Sequence, residues 1–262
     1  VLGSGLVAES AQAAIAQSYA RNEGDEFVLP TIVGSRDQGR VRTQNEDNWV
    51  ADPNQGLCVV SDGMGGQFAG ALAAKIVVET LPSLLRRQMR GIEDVADPEA
   101  ARRLLTALAE LSARVLNGSQ GQPGLEGMGA TVVLALIRGS HALIAHLGDS
   151  RAYLLRQGRL EQLTRDHSLV QLLIDCGEIT PEEAVRHPAR GQLTRYVGML
   201  GEALPEARLL KLCPGDCLLL CSDGLTGMVS DAELLAILRQ KLSPKTACKR
   251  LIAAANAAGG KD

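Results

Sequence analysis

Aromatic side chains are scarce in this 262-residue chain, where Phe, Tyr and Trp together make up 2% of the sequence. Proteins that bind single-stranded nucleic acid stack bases on such rings, and this chain has too few of them to build that kind of surface. An excess of basic residues is also missing, since 27 lysines and arginines stand against 30 acidic residues and the net charge is −3. The composition therefore argues against nucleic acid or an anionic membrane as the main partner.

Signals of membrane insertion and of several other enzyme classes are absent as well. No continuous apolar run approaches the roughly 18 to 20 residues that span a bilayer, and the N-terminus lacks a basic region followed by an apolar core. There is no Gly-x4-Gly-Lys-Ser/Thr phosphate loop. The six cysteines form no CxxC pair, and none is followed six positions later by the arginine that the anion loop of a cysteine phosphatase requires. We therefore expect reduced core cysteines, no zinc site and a cytoplasmic protein.

The first 29 residues differ in composition from the rest of the chain. A glycine-containing start is followed by an alanine-rich stretch from Ala8 to Ala20, which predicts a helix, and then by a polar run. These features are typical of a leader or tag-like segment that is not part of a core. We therefore expect residues 1–29 to be flexible or helical and residues 30–262 to form one domain.

Short apolar runs separated by polar turns predict a set of β-strands. They are expected at 31–35, 48–51, 57–61, 130–137, 142–147, 151–155, 208–212 and 216–222. The pattern between 164 and 199 changes to short helical pieces and polar turns, which indicates an inserted flap.

Four longer helices are predicted between and after these strands. The first runs from Gln67 to Arg90 and is expected to be interrupted or bent near Pro82. The second follows Asp97-Pro98, where aspartate can cap the helix and proline takes its first position. Two capped helices open at Ser230 and Ser243. Because strands and helices come in blocks, the fold class is α+β.

One stretch joins an apolar strand pattern to the first long helix through an aspartate and three glycines, Asp62-Gly63-Met64-Gly65-Gly66. An aspartate at the end of a buried strand is held rigidly, and glycines let backbone and solvent approach it closely. Such a turn can hold a metal. Taken alone, it is equally well explained as a simple turn.

Other acidic residues share this setting at the ends of predicted strands or beside glycines. They are Glu46, Asp47, Asp149, Asp223 and Asp262. Burying an unpaired carboxylate costs on the order of several kcal/mol, so a bound cation would stabilise each of these positions. An oxygen-rich cluster without histidine or thiolate suits Mg²⁺ or Mn²⁺. The alternative is that each aspartate serves a separate turn or helix cap.

Seven short motifs occur in one order along the chain. They are Val41-Arg42-Thr43-Gln44-Asn45-Glu46-Asp47, Asp62-Gly63-Met64-Gly65-Gly66, Gly129-Ala130-Thr131, Gly148-Asp149-Ser150-Arg151, Leu163-Thr164-Arg165-Asp166-His167-Ser168, Ser222-Asp223-Gly224-Leu225 and Gly259-Gly260-Lys261-Asp262. In this order and spacing the chain from about residue 31 resembles the bacterial branch of the PPM/PP2C family of metal-dependent serine/threonine protein phosphatases.

The resemblance implies a fold and an activity. The expected fold is a β-sandwich of two antiparallel sheets flanked by helices on both faces, with the flap beside a dinuclear Mn²⁺ or Mg²⁺ site. The expected reaction is hydrolysis of phosphoserine and phosphothreonine in proteins by a metal-activated water. The partners would be proteins that a serine/threonine kinase has phosphorylated.

The same resemblance implies roles for single residues around the two metals. Asp62 would bridge both ions, and the Gly63 carbonyl would ligate one of them. Asp223 and Asp262 would complete the shell of the other ion.

The remaining roles concern water, a third ion and the phosphate group. Glu46 and Asp47 would hold metal-bound waters or touch metal directly. Asp149, with Asp223, would bind a weaker third metal. Arg42 would bind the phosphate group.

The chain departs from the family pattern at four places. Met64 stands where some relatives have a histidine that acts as a general acid, so leaving-group protonation is expected to come from metal-bound water. Gly227 replaces a third-metal aspartate, and Gly191 replaces a flap serine of some relatives. After Asp262, relatives continue with asparagine and a further strand. Without that strand, neighbouring strand edges would be uncovered. We therefore expect either that the natural protein continues beyond Asp262 or that the metal shared by Asp223 and Asp262 binds weakly.

Two other functions stay open from the sequence. A catalytically weakened regulatory or phosphopeptide-binding domain would fit the absent last strand. A two-metal nuclease would fit the carboxylates but not the acidic charge balance. The four histidines are scattered, and we expect structural roles for them. His146 is the one nearest in sequence to a predicted ligand, Asp149.

Overall fold

The apolar runs of the sequence form twelve strands in a computed structural model that describes residues 11–17, 31–37, 40 and 45–260. The strands are β1 (Ala11–Gln17), β2 (Thr31–Asp37), β3 (Asn48–Asp52), β4 (Leu57–Ser61), β5 (Gly63–Met64), β6 (Gly129–Ala130), β7 (Val132–Arg138), β8 (His141–Leu147), β9 (Arg151–Arg156), β10 (Arg159–Gln162), β11 (Glu206–Lys211) and β12 (Cys217–Cys221). The helices of the same described residues are α1 (Gln67–Gln88), α2 (Pro98–Ser119), α3 (Leu169–Asp175), α4 (Pro181–Ala184), α5 (Asp223–Thr226), α6 (Asp231–Leu238) and α7 (Pro244–Ala257).

Two five-stranded antiparallel sheets carry the fold. The first has the strand order β10-β9-β12-β1-β2, and the second has the order β11-β8-β7-β4-β3. A separate two-stranded ribbon, β5-β6, follows the end of β4. This arrangement confirms the predicted sandwich of two antiparallel sheets.

Three apolar clusters divide the molecule into four layers. The middle cluster fills the space between the sheets and includes Ala14, Val60 and Leu220. A second cluster joins the β11-to-β3 sheet to α1 and α2. A third cluster joins the β10-to-β2 sheet to α6 and α7. Helices therefore cover both outer faces of the sandwich, as the α+β prediction requires.

The alanine-rich stretch near the N-terminus forms a strand and not the predicted helix. Ala11–Gln17 is a strand that pairs with β12 on one side and with β2 on the other. Ala14 and Ala16 face the other sheet, while Ala13 and Ile15 belong to the cluster that contains α6 and α7. The expectation of a helix outside the core is wrong for these residues. Pairing on both edges and burial on both faces outweigh the helix propensity of alanine.

Strand β1 also concerns the strand edges that were expected to be uncovered without a strand after Asp262. Uncovered edges were expected beside the missing element. Within the described part of the chain, β12 is paired with β9 on one edge and with β1 on the other. The expectation named no particular strand, and both edges of β12 are covered among the described residues.

The helix ends agree with the sequence signals. Asp97 accepts a hydrogen bond from the Glu99 N–H at the start of α2, and Thr180 and Ser230 form capping boxes at α4 and α6. Helix α1 continues through Pro82, so it is not interrupted there.

Helix α1 has the length and composition of a membrane-spanning segment. Phe68–Gln88 is long and apolar enough by composition to cross a bilayer, although the sequence has no unbroken apolar run of that length. Half of this segment is buried, and its residues Ala73, Val77 and Leu81 belong to the cluster under α2. The helix is therefore part of the core of the described fold.

The flap predicted between 164 and 199 consists of α3, α4 and irregular chain, as expected. Besides β1, three elements were not predicted. They are the short strand β5, strand β10, which forms a hairpin with β9 after the turn at Gln157-Gly158, and helix α5, which begins at Asp223.

The six cysteines are distributed between the core and the surface. Cys58, Cys217, Cys221 and Cys248 are buried, whereas Cys176 and Cys213 are exposed. Burial raises the pKa of each of the four buried thiols to about 12. They are therefore protonated core residues at neutral pH.

We predict that β1 is needed for stability. Ile15 is 1% exposed, so Ile15→Ala should lower the free energy of unfolding by roughly 2 to 4 kcal/mol because it leaves a cavity in the core. Leu209→Ala, on strand β11 with its side chain 48% exposed, is the matched control and should cost less than about 1 kcal/mol. Urea unfolding of both variants measures this. Equal losses would show that β1 does not occupy the core.

Candidate metal centre

Asp62 lies at the end of β4, where its backbone is fixed by Thr131 of the neighbouring chain segment. The Asp62 N–H donates to the Thr131 hydroxyl at 2.9 Å, and the Thr131 N–H donates to the Asp62 carbonyl at 2.7 Å. The Ser61 hydroxyl donates to the Thr131 carbonyl at 2.7 Å. These three bonds give Asp62 a rigid backbone at the sheet end.

The same threonine connects this position to the segment that carries Asp149. The hydroxyls of Thr131 and Ser150 lie 2.6 Å apart and are hydrogen-bonded, and both residues are buried. Ser150 directly follows Asp149 in sequence. A buried hydroxyl pair therefore links the Asp62 strand end to the Asp149 turn.

Glu46 approaches the Asp62-Gly63 turn from the chain before β3. The Gly63 N–H donates to the Glu46 carbonyl at 3.2 Å. A Cβ placed on Gly70, in the first turns of α1, would lie 2.3 Å from Glu46 Oε2. Gly70 therefore leaves the room that the Glu46 carboxylate occupies, and a larger residue there would displace it.

Asp47 is connected to the strand end that precedes Asp223. The Ser222 hydroxyl donates to Asp47 Oδ2 at 2.8 Å, and both residues are buried. The Asn45 side chain accepts from the Asp47 N–H at 2.8 Å. Glu46 and Asp47, which the sequence analysis placed at one site, thus contact two different strand ends of that site.

Asp149 and Asp223 share a cavity of about 420 Å³ between the sandwich and the flap. Three aspartates and two arginines of the described residues line it: Asp149, Asp166, Asp223, Arg151 and Arg190. Burial, and after it the charges of Asp223 and Asp166, raise the pKa of Asp149 well above its usual range. The cavity therefore has an excess of negative charge held close together.

The donor groups of this cavity fit a hard divalent cation. Asp223 Oδ1 is buried and has no hydrogen-bond partner among the described residues. A buried carboxylate oxygen without a partner is costly, and a cation would satisfy it. The ligand atoms are carboxylate oxygens, which Mg²⁺ and Mn²⁺ prefer.

The structure brings most of the predicted residues together. Hydrogen bonds connect Glu46 with Gly63, Asp62 with the Asp149 turn, and Asp47 with the Asp223 strand end. Asp149 and Asp223 line the same cavity. Arg42 and Asp262, predicted for phosphate and metal binding, lie outside the described residues.

Sequence reasoning assigned no role to the hydroxyl residues that support these carboxylates. Thr131, Ser150 and Ser222 are each buried. Thr131 bonds Asp62, Ser222 bonds Asp47, and Ser150 bonds Thr131. A signal for the two serines was present, because each is adjacent in sequence to a predicted metal aspartate. For Thr131 the signal was only its place in one of the seven motifs.

Two histidines stack beside the Asp149 turn. The rings of His146 and His167 lie 4.3 Å apart, centroid to centroid, at an angle of 24°. His146 Nε2 donates to the Arg165 carbonyl at 2.8 Å. His146, the histidine nearest to Asp149 in sequence, thus makes a structural contact with the start of the flap.

Glu206 completes a group of three potential metal ligands with this pair, all within 4.8 Å of one another. His167 Nδ1 accepts from the Gly148 N–H at 3.3 Å, so a neutral ring carries its proton on Nε2. That nitrogen faces Glu206 Oε1 at 3.3 Å. The protonated nitrogen suits an interaction with the carboxylate and not a metal bond.

We predict that the histidine pair makes the fold less stable in mild acid. Burial lowers the pKa of His146, and burial followed by the charge of His146 lowers the pKa of His167 to about 4. Both are normally near 6.5 in an unfolded chain. Between about pH 6.5 and 4 the unfolded state therefore takes up protons that the folded state does not, and stability falls as pH falls.

The urea midpoint should be lower at pH 5 than at pH 7. The difference should shrink in His167→Gln, because that side chain does not titrate. His187→Gln, in the flap and outside the pair, is the control and should keep the full difference. If the pH dependence is the same in His167→Gln as in the parent, His167 does not contribute to the loss of stability in acid.

Comparison with known proteins gives a consistent result. Residues 36–255 match the family described as Protein phosphatase 2C. The serine/threonine phosphatase stp of Listeria monocytogenes is 37% identical over 229 residues, which are 86% of this chain and 90% of that protein.

Solved structures are similar over nearly the whole chain. The crystal structure of the Mycobacterium tuberculosis serine/threonine phosphatase PstP/Ppp has a TM-score of 0.73 and 34% identity, and the match covers 96% of this chain and 95% of that one. A structure of the PstP catalytic domain in complex with two manganese ions has a TM-score of 0.70 and 34% identity, with 95% of each chain covered.

Proposed function

The chain belongs to the protein phosphatase 2C family, and from this premise we propose that it hydrolyses phosphoserine and phosphothreonine in proteins with two Mn²⁺ or Mg²⁺ ions. The relatives named above are serine/threonine phosphatases, and one of them has been solved with two manganese ions. The observation that carries the proposal is the pairing of Asp149 with Asp223, whose Oδ1 is buried without a hydrogen-bond partner among the described residues. Such a group is suited to bind a cation, because a buried polar atom without a partner costs free energy.

The residues that would hold the ions come from four strand ends. We propose that Asp62 would hold both ions and that the Gly63 carbonyl and Asp223 would be further ligands. Glu46 and Asp47 would hold water ligands or touch the ions. A pair of divalent ions supplies an activated water for in-line attack on phosphorus and neutralises charge on the phosphate.

A weaker third ion is proposed between Asp149 and Asp223. Asp262, predicted as a further ligand of the Asp223 ion, keeps that role as a proposal. Arg42 is proposed to bind the phosphate group by charge-assisted hydrogen bonds.

The residues of the chain prepare this site through rigidity. Thr131 holds the Asp62 backbone from both its N–H and its carbonyl, and Ser222 orients Asp47. A preorganised set of ligands loses little free energy to rearrangement when charge develops on the phosphate. Met64 has no ionisable group, so its side chain cannot supply a proton to the leaving serine or threonine.

The flap is proposed to select protein substrates. Two of its large apolar side chains are well exposed, Leu172 at 50% and Val185 at 63%, and Val185 lines the cavity that holds Asp149 and Asp223. Exposed apolar groups beside a charged cavity suit contact with residues that flank a phosphorylated side chain. We further propose that the substrates are products of a serine/threonine kinase and that the protein acts in the cytoplasm.

Hydrolysis of p-nitrophenyl phosphate and of a phosphothreonine peptide, each with and without Mn²⁺, tests the proposed function. Mn²⁺-dependent release of phosphate from both substrates is the expected result. Peptide binding without phosphate release would instead support a regulatory, phosphopeptide-binding domain. Cleavage of a DNA or RNA strand, with no action on the phosphopeptide, would support a nuclease.

We predict that Asp62→Asn lowers the Mn²⁺-dependent rate by more than about 100-fold, because a neutral amide bridges two cations poorly. The fold should persist, as judged by circular dichroism and urea unfolding. Asp97→Asn is the control, since asparagine caps a helix as well as aspartate does and Asp97 caps α2. Activity of Asp62→Asn within a fewfold of the parent at saturating Mn²⁺ would remove Asp62 from the bridging position.

A further inference from the structure

A second cavity lies at the end of the sandwich opposite the candidate metal centre. Its volume is about 600 Å³, and it is enclosed by strands β1, β9 and β12 and by helices α6 and α7, which cover that sheet. Strand β12 connects the two places, because Cys217 at its start lines this cavity and Asp223 comes two residues after its end. Among the described residues, the two cavities have no lining residue in common.

The floor of the second cavity is apolar. It is formed by Ile15, Cys217, Leu238 and Ala247, each of which is less than 10% exposed. Burial raises the pKa of the Cys217 thiol to about 12, so this group is uncharged at neutral pH. Such a floor suits a hydrocarbon group, which gains free energy when it leaves water.

The mouth of the cavity is built from three turns. One contains Gln157 and Gly158 and joins β9 to β10, one contains Gly215 and precedes β12, and the third joins α6 to α7. The Arg239 side chain links two of them, because its Nε donates to the Gly158 carbonyl at 2.9 Å. The mouth is therefore held by a contact between distant parts of the chain.

The backbone of this mouth is strained at two positions. Gln157 has a φ of +49° and Lys241 has a φ of +51°, and among the described residues Leu204 is the one other non-glycine residue with a positive φ. The left-handed conformation costs free energy in residues that carry a Cβ, and such positions are concentrated at sites that bind ligands. The strain at this mouth therefore points to a binding role.

The charges at the mouth are all positive. Arg239 and Lys241 line the cavity, and no acidic residue of the described chain does. The neighbouring Asp216 is buried and is paired with Arg156 at 2.6 Å. Lys241 is exposed and has no ion pair within the described part of the chain. The mouth can therefore attract an anionic group to Lys241.

We propose that this cavity binds a small amphipathic anion, with a hydrocarbon body on the apolar floor and an acid group at the mouth beside Lys241 and Arg239. The volume lies within the range of small-molecule sites, roughly 300 to 1,000 Å³. An apolar floor alone would accept any hydrocarbon, whereas the two cations select a ligand with a negative end. The proposal does not depend on the proposed phosphatase activity or on the metal ions.

Calorimetric titration of the full chain with octanoate and with 1-octanol tests the ligand class. The two probes share an alkyl chain of the same length and differ in charge. Octanoate should bind about fivefold more tightly at low ionic strength, and added salt should remove this difference because it screens the cations. Equal affinities at low salt would overturn the anionic ligand, and no binding of either probe would overturn the site.

Lys241→Asn tests the cation at the mouth. Asparagine tolerates a positive φ, so the substitution removes the charge without adding backbone strain. It should lower octanoate affinity about fivefold and leave 1-octanol affinity unchanged. Lys245→Asn is the control, because Lys245 is exposed in the first turn of α7 and does not line the cavity. Equal losses in the two variants would overturn the role of Lys241.

Ala247→Phe tests the location, because it places a large side chain into the floor. It should lower the affinity for both probes by more than about tenfold. Methyl NMR of the unmutated chain locates the probe without any variant. Octanoate should shift the methyl signals of Leu238 and Leu242, which line the cavity, and not those of Leu134, which lies in the cluster under α1 and α2. Shifts confined to Leu134 would overturn the site.

Discussion

Repulsion among carboxylates at one end of the sandwich is the constraint on which the site depends. Asp149, Asp166 and Asp223 line one cavity, and their mutual charge, added to burial, raises the pKa of Asp149. Each arrives from a different segment of the chain, so the cavity exists only when both sheets and the start of the flap are packed. A cation that binds this assembled state, and not the unfolded chain, therefore stabilises the whole fold.

The groups that hold the strand ends around this cavity in place are neutral. Thr131, Ser150 and Ser222 bond the backbone or side chains at the strand ends. Neutral hydroxyls fix direction without cancelling the negative charge that attracts the metal. Arg151, one of the two arginines that line the cavity among the described residues, is already paired with Asp166. Positional order and negative potential are thus supplied by separate residues.

Much of the scaffold could be predicted from local patterns. The apolar run that forms β4 and the caps at Asp97, Thr180 and Ser230 agree with the structure because each depends on residues close in sequence. The strand β1 could not be predicted in this way. Its alanines favour a helix, and Gln12 is buried with no hydrogen-bond partner for its amide among the described residues, a cost that only the surrounding sheet can offset.

The candidate site was predictable as a set of carboxylates but not as a set of contacts. The Ser222 to Asp47 bond joins residues 175 positions apart, and the bond from Thr131 to Asp62 spans 69. Nothing local marks either hydroxyl as a partner of the distant chain. The seven motifs indicated which residues belong together, whereas the order of contacts among them depends on the packing of the two sheets.

The distribution of cysteines makes the motion of the flap open to direct measurement. Thiols react as thiolates, so the four buried groups are protected from alkylating reagents at neutral pH both by their high pKa and by the core around them. Cys176, at the end of α3, and Cys213, in the turn before β12, are exposed. The unmutated chain therefore carries two attachment points for spectroscopic labels, one on the flap and one on the sandwich, and the distance between the labels reports where the flap lies.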